Sequence, residues 1–356
     1  MNVYAKLIGT IFTTAVLGFS GCGFNSSTDR SIDNSSNNKT VKTVDVDNYT
    51  VTGERFLTFD TPPKKVIVSG LEETEMVLAF ARTDSICAVY GYYDLKDFVK
   101  PQYKSKLDGL RILQRGQVNT ENIMAMQPDL IIAEQCSFVP ASLRSTKLWQ
   151  ERGIKTYVPI NTNSPTKHLL SEDIETEYAY IADFGKIFNN RELADAIIQD
   201  AKDTMSFFEK YGKSQNDSNP TVLIVEQFGK EIASYDKTKL GGKIVTQLGG
   251  HIPETAPLIG QEELRAINPD ILFVVCSDGD KGKCRTRLIS SPIFQELNAV
   301  KDNHVYSLEL ETVYAPGLRI KDGIEKIGLS LYPTARETYL ATQENTINPS
   351  YDDWFE

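Results

Sequence analysis

Two stretches of this chain, far apart in sequence, repeat one another. Asn122-Ile123-Met124-Ala125-Met126-Gln127-Pro128-Asp129-Leu130-Ile131-Ile132 is answered by Glu263-Leu264-Arg265-Ala266-Ile267-Asn268-Pro269-Asp270-Ile271-Leu272-Phe273. Each reads as a short helix, a break and a strand. Proline cannot continue a helix and biases the residue before it toward extended geometry, and aspartate suits the turn. The apolar runs that follow, Leu130 to Ala133 and Ile271 to Val275, do not alternate, so they suit strands covered on both faces, as in a parallel sheet. Each copy has further strands around it. Val66-Ile67-Val68 runs into Ser69-Gly70 and an apolar helix in one half, and Val222 to Val225 opens the other; Ile154 to Val158 and His304 to Leu308 come later. Strands alternating with helices on this plan predict an α/β fold of two lobes with parallel central sheets.

Between the halves, residues 190–213 are rich in Ala, Glu, Asp and Lys, with Leu193, Ile197, Ala201 and Met205 on one helical face. At about 1.5 Å per residue such a helix spans about 35 Å, enough to join two lobes. Ligands of open α/β sheets sit beyond the carboxyl ends of the strands, so the site is expected in a cleft between the lobes.

The start of the chain sets the compartment. Leu7 to Phe19 is apolar or small throughout, too short for the roughly 18 residues that span a bilayer, and Ser20-Gly21 precedes Cys22. These residues resemble the lipobox of bacterial lipoproteins, with Phe19 where an aliphatic residue is usual. The resemblance implies a signal peptide over 1–21 and lipid on Cys22. Residues 22–50, mostly Ser, Asn, Thr and Asp, lack the apolar surface to offset ordering entropy and read as a disordered tether. The first lobe is then expected over 51–189, the interlobe helix over 190–213, the second lobe over 214–340 and a tail over 341–356. A net charge of −10 excludes nucleic acid as a partner, because binding it rests on Lys and Arg neutralising phosphates. Besides Cys22 there are Cys87, Cys136, Cys276 and Cys284. Cys276 and Cys284 flank a polar loop and are expected to form a disulfide, while Cys87 and Cys136 read equally as a second pair or as buried thiols.

The order of these pieces resembles the substrate-binding proteins of ABC importers for iron-siderophores, haem and cobalamin. The residues that carry the resemblance are Val66 to Ser69 followed by Glu72-Glu73-Thr74-Glu75-Met76-Val77-Leu78, the two Pro-Asp segments, Leu240-Gly241-Gly242 with Leu248-Gly249-Gly250, and Phe294 to Lys301 leading to Val305-Tyr306. Pro316-Gly317-Leu318-Arg319 with Asp322-Gly323 completes the series. The resemblance implies two lobes bridged by one long helix, an ABC permease and its ATPase as partners, and a monomer held on the extracytoplasmic face of the cell membrane. It also implies a glutamate from each lobe docking the permease. Glu75 takes that place in the first lobe, unless it, Glu72 and Glu73 serve only the helix dipole. In the second lobe Thr246 and Gln247 stand where the glutamate is usual, with Glu254 nearby.

The parts of an enzyme are missing: there is no Gly-x-Ser-x-Gly elbow, phosphate loop or dinucleotide fingerprint, although an extracellular hydrolase stays open as an alternative because geometry defines such sites. His168, His251 and His304 are scattered, so no resident metal or cofactor is expected and any metal arrives already chelated. The expected cargo is a ferric siderophore, with haem or a corrinoid as the alternative. Strand ends nominate Ser69, Tyr90, Tyr92, Tyr93, Gln135, Tyr235, Lys237, Ser277, Tyr314 and Arg319 as ligand contacts. Tyrosines would give area and a polar tip, and the basic residues would hold an anionic chelate. For the tyrosines packing is an equal reading, for Lys237 a solvated surface, and for Arg319 a buried ion pair.

Overall fold

A computed structural model describes residues 44–47, 56–91, 95–159, 162, 172–215, 219–229, 231–277 and 283–343. It begins with an antiparallel pair, β1 (Val44–Asp47) against β2 (Phe56–Phe59). The end of the expected tether is thereby corrected. Val-Asp-Val-Asp alternates with the period of a strand, which a polar composition averaged over 22–50 conceals.

The first large sheet centres on β3 (Val66–Ser69). Its order is β5 (Ile112–Leu113), β4 (Ile86–Tyr90), β3, β6 (Leu130–Ala133) and β7 (Lys155–Tyr157), and every pairing is parallel. Its inner strands are covered on both sides. Val66, Val68 and Ile132 face one apolar cluster, and Ile67, Tyr90 and Ile131 face another. That accounts for the unbroken apolar runs.

The repeated Pro-Asp segments do the same work in both lobes. Helices Thr120–Met126 and Gln261–Ile267 each end on a left-handed residue, Gln127 (φ 53°) and Asn268 (φ 41°). The aspartate after the proline then pins the start of the lobe's first strand. Asp129 accepts from the backbone of Lys64 (2.7 Å) and Lys65 (3.0 Å), and Asp270 accepts from that of Thr221 (2.8 Å). Backbone donors that no ladder serves are thus satisfied where the strand begins.

The second sheet runs β10 (Leu258–Ile259), β9 (Glu231–Ser234), β8 (Val222–Phe228), β11 (Ile271–Cys276) and β12 (Val305–Glu309). The centre of this sheet is parallel, as expected, and its β9 edge is antiparallel. β8, β11 and β12 run parallel, β9 pairs antiparallel with β8, and β10 pairs antiparallel with β9. The chain turns back directly after β8 at Gly229 (φ 64°), and a connection that short can only make a hairpin; a parallel return needs a crossover of a dozen residues or so. Cys276 and Cys284 are joined, with 5.7 Å between their Cα atoms, and Cys87 and Cys136 are free thiols.

Four helices matter for the site. They are α1 (Leu71–Phe80), α2 (Ile174–Ile187), α3 (Arg191–Ser214) and α4 (Ile320–Leu331). α3 starts at Asn190, whose side chain accepts from the Leu193 amide, and it buries Ala194, Ala201, Met205 and Phe208 on one face. α4 lies so close across it that a β-carbon on Gly328 would fall 2.4 Å from the Phe208 ring. The apolar core is therefore continuous, running from β3 and α1 through α3 and α4 to β8 and β11.

The segment leading into α4 crosses back to the first lobe. Gly317 donates its amide to Glu177 on α2 (3.4 Å), and Lys100 reaches both the Leu318 carbonyl (3.4 Å) and Asp322 (2.7 Å). The two lobes are thus clamped through this segment.

Candidate ligand cleft

The cleft begins where β3 and β6 end. They are neighbours in register, Ser69 opposite Ala133, so whatever follows each strand emerges side by side. After Ser69 comes Gly70, with φ 111°, and then α1; after Ala133 comes Glu134. This brings Glu72 and Glu73, in the first turn of α1, against Glu134, with one carboxylate oxygen of each within 4.8 Å of the others. Glu73 is 1 % exposed and its Oε2 has no hydrogen-bond partner. Gly70 makes room for it, since a β-carbon there would lie 1.9 Å from that oxygen. Burial, then the charge of Glu134, raises the Glu73 pKa well above the ordinary carboxylate value, although its own backbone amide pulls the other way.

Cys136 donates its S–H to Glu134 Oε2 (3.0 Å). Burial and the neighbouring carboxylates push its pKa upward, so it remains a neutral thiol. The second lobe supplies the opposite wall. Tyr314 follows β12, and its phenol is raised well above the usual value by burial first and then by Glu134, Cys136, Glu172 and Glu72. Tyr235 donates to Glu226 (2.6 Å), and burial together with that carboxylate raises its pKa. Glu172 fastens the floor by accepting from Lys239 Nζ (2.6 Å) and the Leu240 amide (3.1 Å).

Buried polar atoms without a partner are rare and call for an explanation. Among the described residues they are Glu73 Oε2, Gln135 Oε1, Gln227 Oε1, the Tyr180 hydroxyl and Ser330 Oγ. Gln135 follows β6, Gln227 lies near the end of β8, and Tyr180 adjoins Glu73. All but Ser330 thus belong to strand ends or their immediate surroundings, where a polar ligand would meet them.

Several expected contacts stand elsewhere. Tyr90 is fully buried in the core with Ile131 and Trp149, because residues at the end of a central strand face its packed layer. Lys237 is exposed and pairs with Glu254 (2.5 Å), so both are surface residues. Arg319 is engaged by Glu75 through two bonds, Nε to Oε2 (2.8 Å) and Nη2 to Oε1 (2.7 Å), and it also donates to the Phe98 carbonyl (2.7 Å). Burial alone would lower the guanidinium pKa, but the Glu75 bond and charge outweigh it and the net shift is upward.

The docking role expected of Glu75 is corrected by the same pair. Glu75 is 1 % exposed and also accepts from the Lys100 amide (2.6 Å), so it cannot meet another protein. Ser69 is buried at the strand end, while Gln135, Tyr235, Ser277 and Tyr314 are half-buried. Tyr92, Tyr93 and Cys22 lie outside the described residues.

Sequence reasoning missed the acidic wall. Glu72 and Glu73 read as helix-start carboxylates, and Glu134, directly after an apolar strand, was the available signal. It also missed what the repeat implies for the surface. The offset that carries Pro128 to Pro269 carries Glu121 to Glu262, and both are exposed in the first turns of matching helices.

Comparison with known proteins agrees with this architecture. The family model described as periplasmic binding protein matches residues 66–312. A Bacillus subtilis (strain 168) ABC transporter substrate-binding lipoprotein, YvrC, is 22% identical over 78% of this chain and 82% of its own. The Fe(3+)-citrate-binding protein YfmC of the same organism is 24% identical over 70% of this chain and 76% of its own. A periplasmic binding protein from Veillonella parvula DSM 2008 superposes with a TM-score of 0.75 at 25% identity, covering 83% of this chain and 94% of that one.

Proposed function

We propose that this chain, which belongs to the periplasmic binding protein family, captures an iron chelate, a ferric siderophore above all, and delivers it to an ABC importer. It is a binding protein and not an enzyme. The observation that carries the choice of site is the set of unpartnered polar atoms, Glu73 Oε2, Gln135 Oε1 and Gln227 Oε1, offered from both lobes at the strand ends. The relative named for Fe(3+)-citrate supports iron in the cargo. Haem, the alternative within the family, would ask for an axial ligand such as tyrosinate. Tyr235, one tyrosine that could supply it, already donates its hydroxyl to Glu226 (2.6 Å).

The metal belongs to the cargo, and the protein carries no resident cofactor of its own. Fluorescence titration with ferric siderophores, haemin and cobalamin tests the reading. Saturable quenching by a ferric chelate is expected at micromolar or tighter affinity, and tight binding of haemin or cobalamin alone would contradict it.

The monomer is held at the outer face of the membrane by lipid on Cys22, a reading supported by the apolar run before it and by the relative named as a lipoprotein. Cys22→Ser is expected to leave an unlipidated precursor that no longer partitions with membranes. Glu121 and Glu262 take over the docking role first expected of Glu75. Both are exposed, and the repeat places them alike on the two lobes. Replacing both with Ala is expected to reduce uptake while leaving chelate affinity unchanged; unimpaired uptake would send the docking contact elsewhere.

A further inference from the structure

We propose that Glu72, Glu73 and Glu134 form a hard-cation site on the first-lobe wall of the cleft, which ligates a di- or trivalent metal ion directly through carboxylate oxygen. The inference deepens the cargo reading and rests on it, because the iron of a bound chelate is the ion this wall would meet.

Geometry comes first. Oxygens that share one ion at metal–oxygen distances of about 2.0–2.6 Å can lie no further apart than about 5 Å. One oxygen from each of the three glutamates satisfies that limit. An acidic cluster alone would say little, since carboxylates on a surface are solvated and need no ion. Here Glu73 is 1 % exposed, and no described residue donates a hydrogen bond to its Oε2. The site is also built rather than incidental. Gly70, in a backbone region that only glycine occupies readily, opens the space that this oxygen fills.

The surroundings choose the class of ion. Three carboxylates are hard oxygen donors, which suit ferric, calcium, manganous or lanthanide ions. The Cys136 sulfur beside the wall spends its proton on Glu134 (3.0 Å). A soft ion would need the thiolate. Neither basic residue expected in the cleft competes for the wall, Arg319 being held by Glu75 and Lys237 by Glu254.

Two further acidic side chains, Glu72 on its own helix and Glu134 after β6, bring their oxygens within reach of Glu73. An ion whose ligand shell is incomplete gains these oxygens, whereas one wrapped in a hexadentate chelate does not.

Terbium(III) is a suitable probe, being hard, oxygen-seeking and sensitised by nearby tyrosines. Its luminescence is titrated into the full mature chain, into Glu73→Gln and into Glu134→Gln, with parallel titrations of ferric nitrilotriacetate and of a hexadentate ferric chelate. Each variant is expected to lose at least about tenfold in affinity for terbium and for ferric nitrilotriacetate. Melting curves establish that each variant is folded, and Glu72→Gln, at the partly exposed helix start, provides a variant with less risk to the core. Equal terbium binding in the wild type and all three variants overturns the site; if the hexadentate chelate still binds, the cleft reading survives that loss. Loss of terbium binding in the variants, with no ferric chelate bound by any form, keeps the cation site and overturns the cargo reading.

Discussion

Glu75 and Glu73 sit two residues apart on the same helix, equally buried, and their surroundings could hardly differ more. Glu75 accepts two bonds from Arg319 and one from the Lys100 amide. Glu73 faces two more glutamates and has an oxygen with no partner. The first carboxylate is satisfied by its own chain and joins the segment leading into α4 to the first lobe. The second keeps an oxygen that no described residue satisfies. A buried charge that the fold satisfies is a structural device, whereas one that the fold leaves unsatisfied points to something brought from outside.

That contrast breaks most visibly at Glu75. Glu75→Ala strands a buried guanidinium, and loss of one partner of such a pair costs about 3–5 kcal/mol. Chemical denaturation should show that loss, and a change below about 1 kcal/mol would mean that Arg319 finds water or another carboxylate instead. At Gly70 the effect is smaller and double-edged. Gly70→Ala forces a side chain into a glycine-only region, at about 1–3 kcal/mol, and pushes the Glu73 carboxylate off its seat. Both stability and terbium affinity are expected to fall, and loss of stability with full affinity would detach Gly70 from the site.

Glu73→Gln should act with the opposite sign. A carboxyl whose pKa is raised by folding binds its proton more tightly in the folded state, so it detracts from stability as pH climbs from the ordinary value through the raised one. The ligand-free variant is therefore expected to match the wild type at acid pH and to melt above it near neutrality. A variant less stable at every pH would show that Glu73 supports the fold. The smallest effect belongs to Lys237→Ala. Its ammonium is exposed beside Glu254, and neither the melting temperature nor chelate affinity should move.

The division between what the sequence revealed and what it concealed follows the same line. The repeated Pro-Asp segments announced two α/β lobes, because chain-local chemistry fixes a helix end, a turn and a strand start, and Asp129 and Asp270 do that work within a few residues. The antiparallel β9 escaped notice because a single short turn at Gly229 decides strand direction while leaving the apolar pattern unchanged. The acidic wall escaped for a different reason. Glu72 and Glu73 meet Glu134 only because β3 and β6 are neighbours in register, and hydrophobic periodicity says which residues lie in strands, not which strands adjoin. The pairing of Arg319 with Glu75 likewise joins the two ends of the fold, and the sequence left it as one of two readings.

Hydrogen–deuterium exchange, with and without a bound ferric siderophore, tests the central claim most directly, because it locates the cargo as well as detecting it. Protection is expected over Ser69 to Glu73, Glu134 to Ser137 and the residues around Gln227 and Tyr314, with the helix Arg191–Ser214 unchanged. Saturating chelate that leaves those strand ends unprotected, or that protects only a surface away from the space between the lobes, would contradict the account.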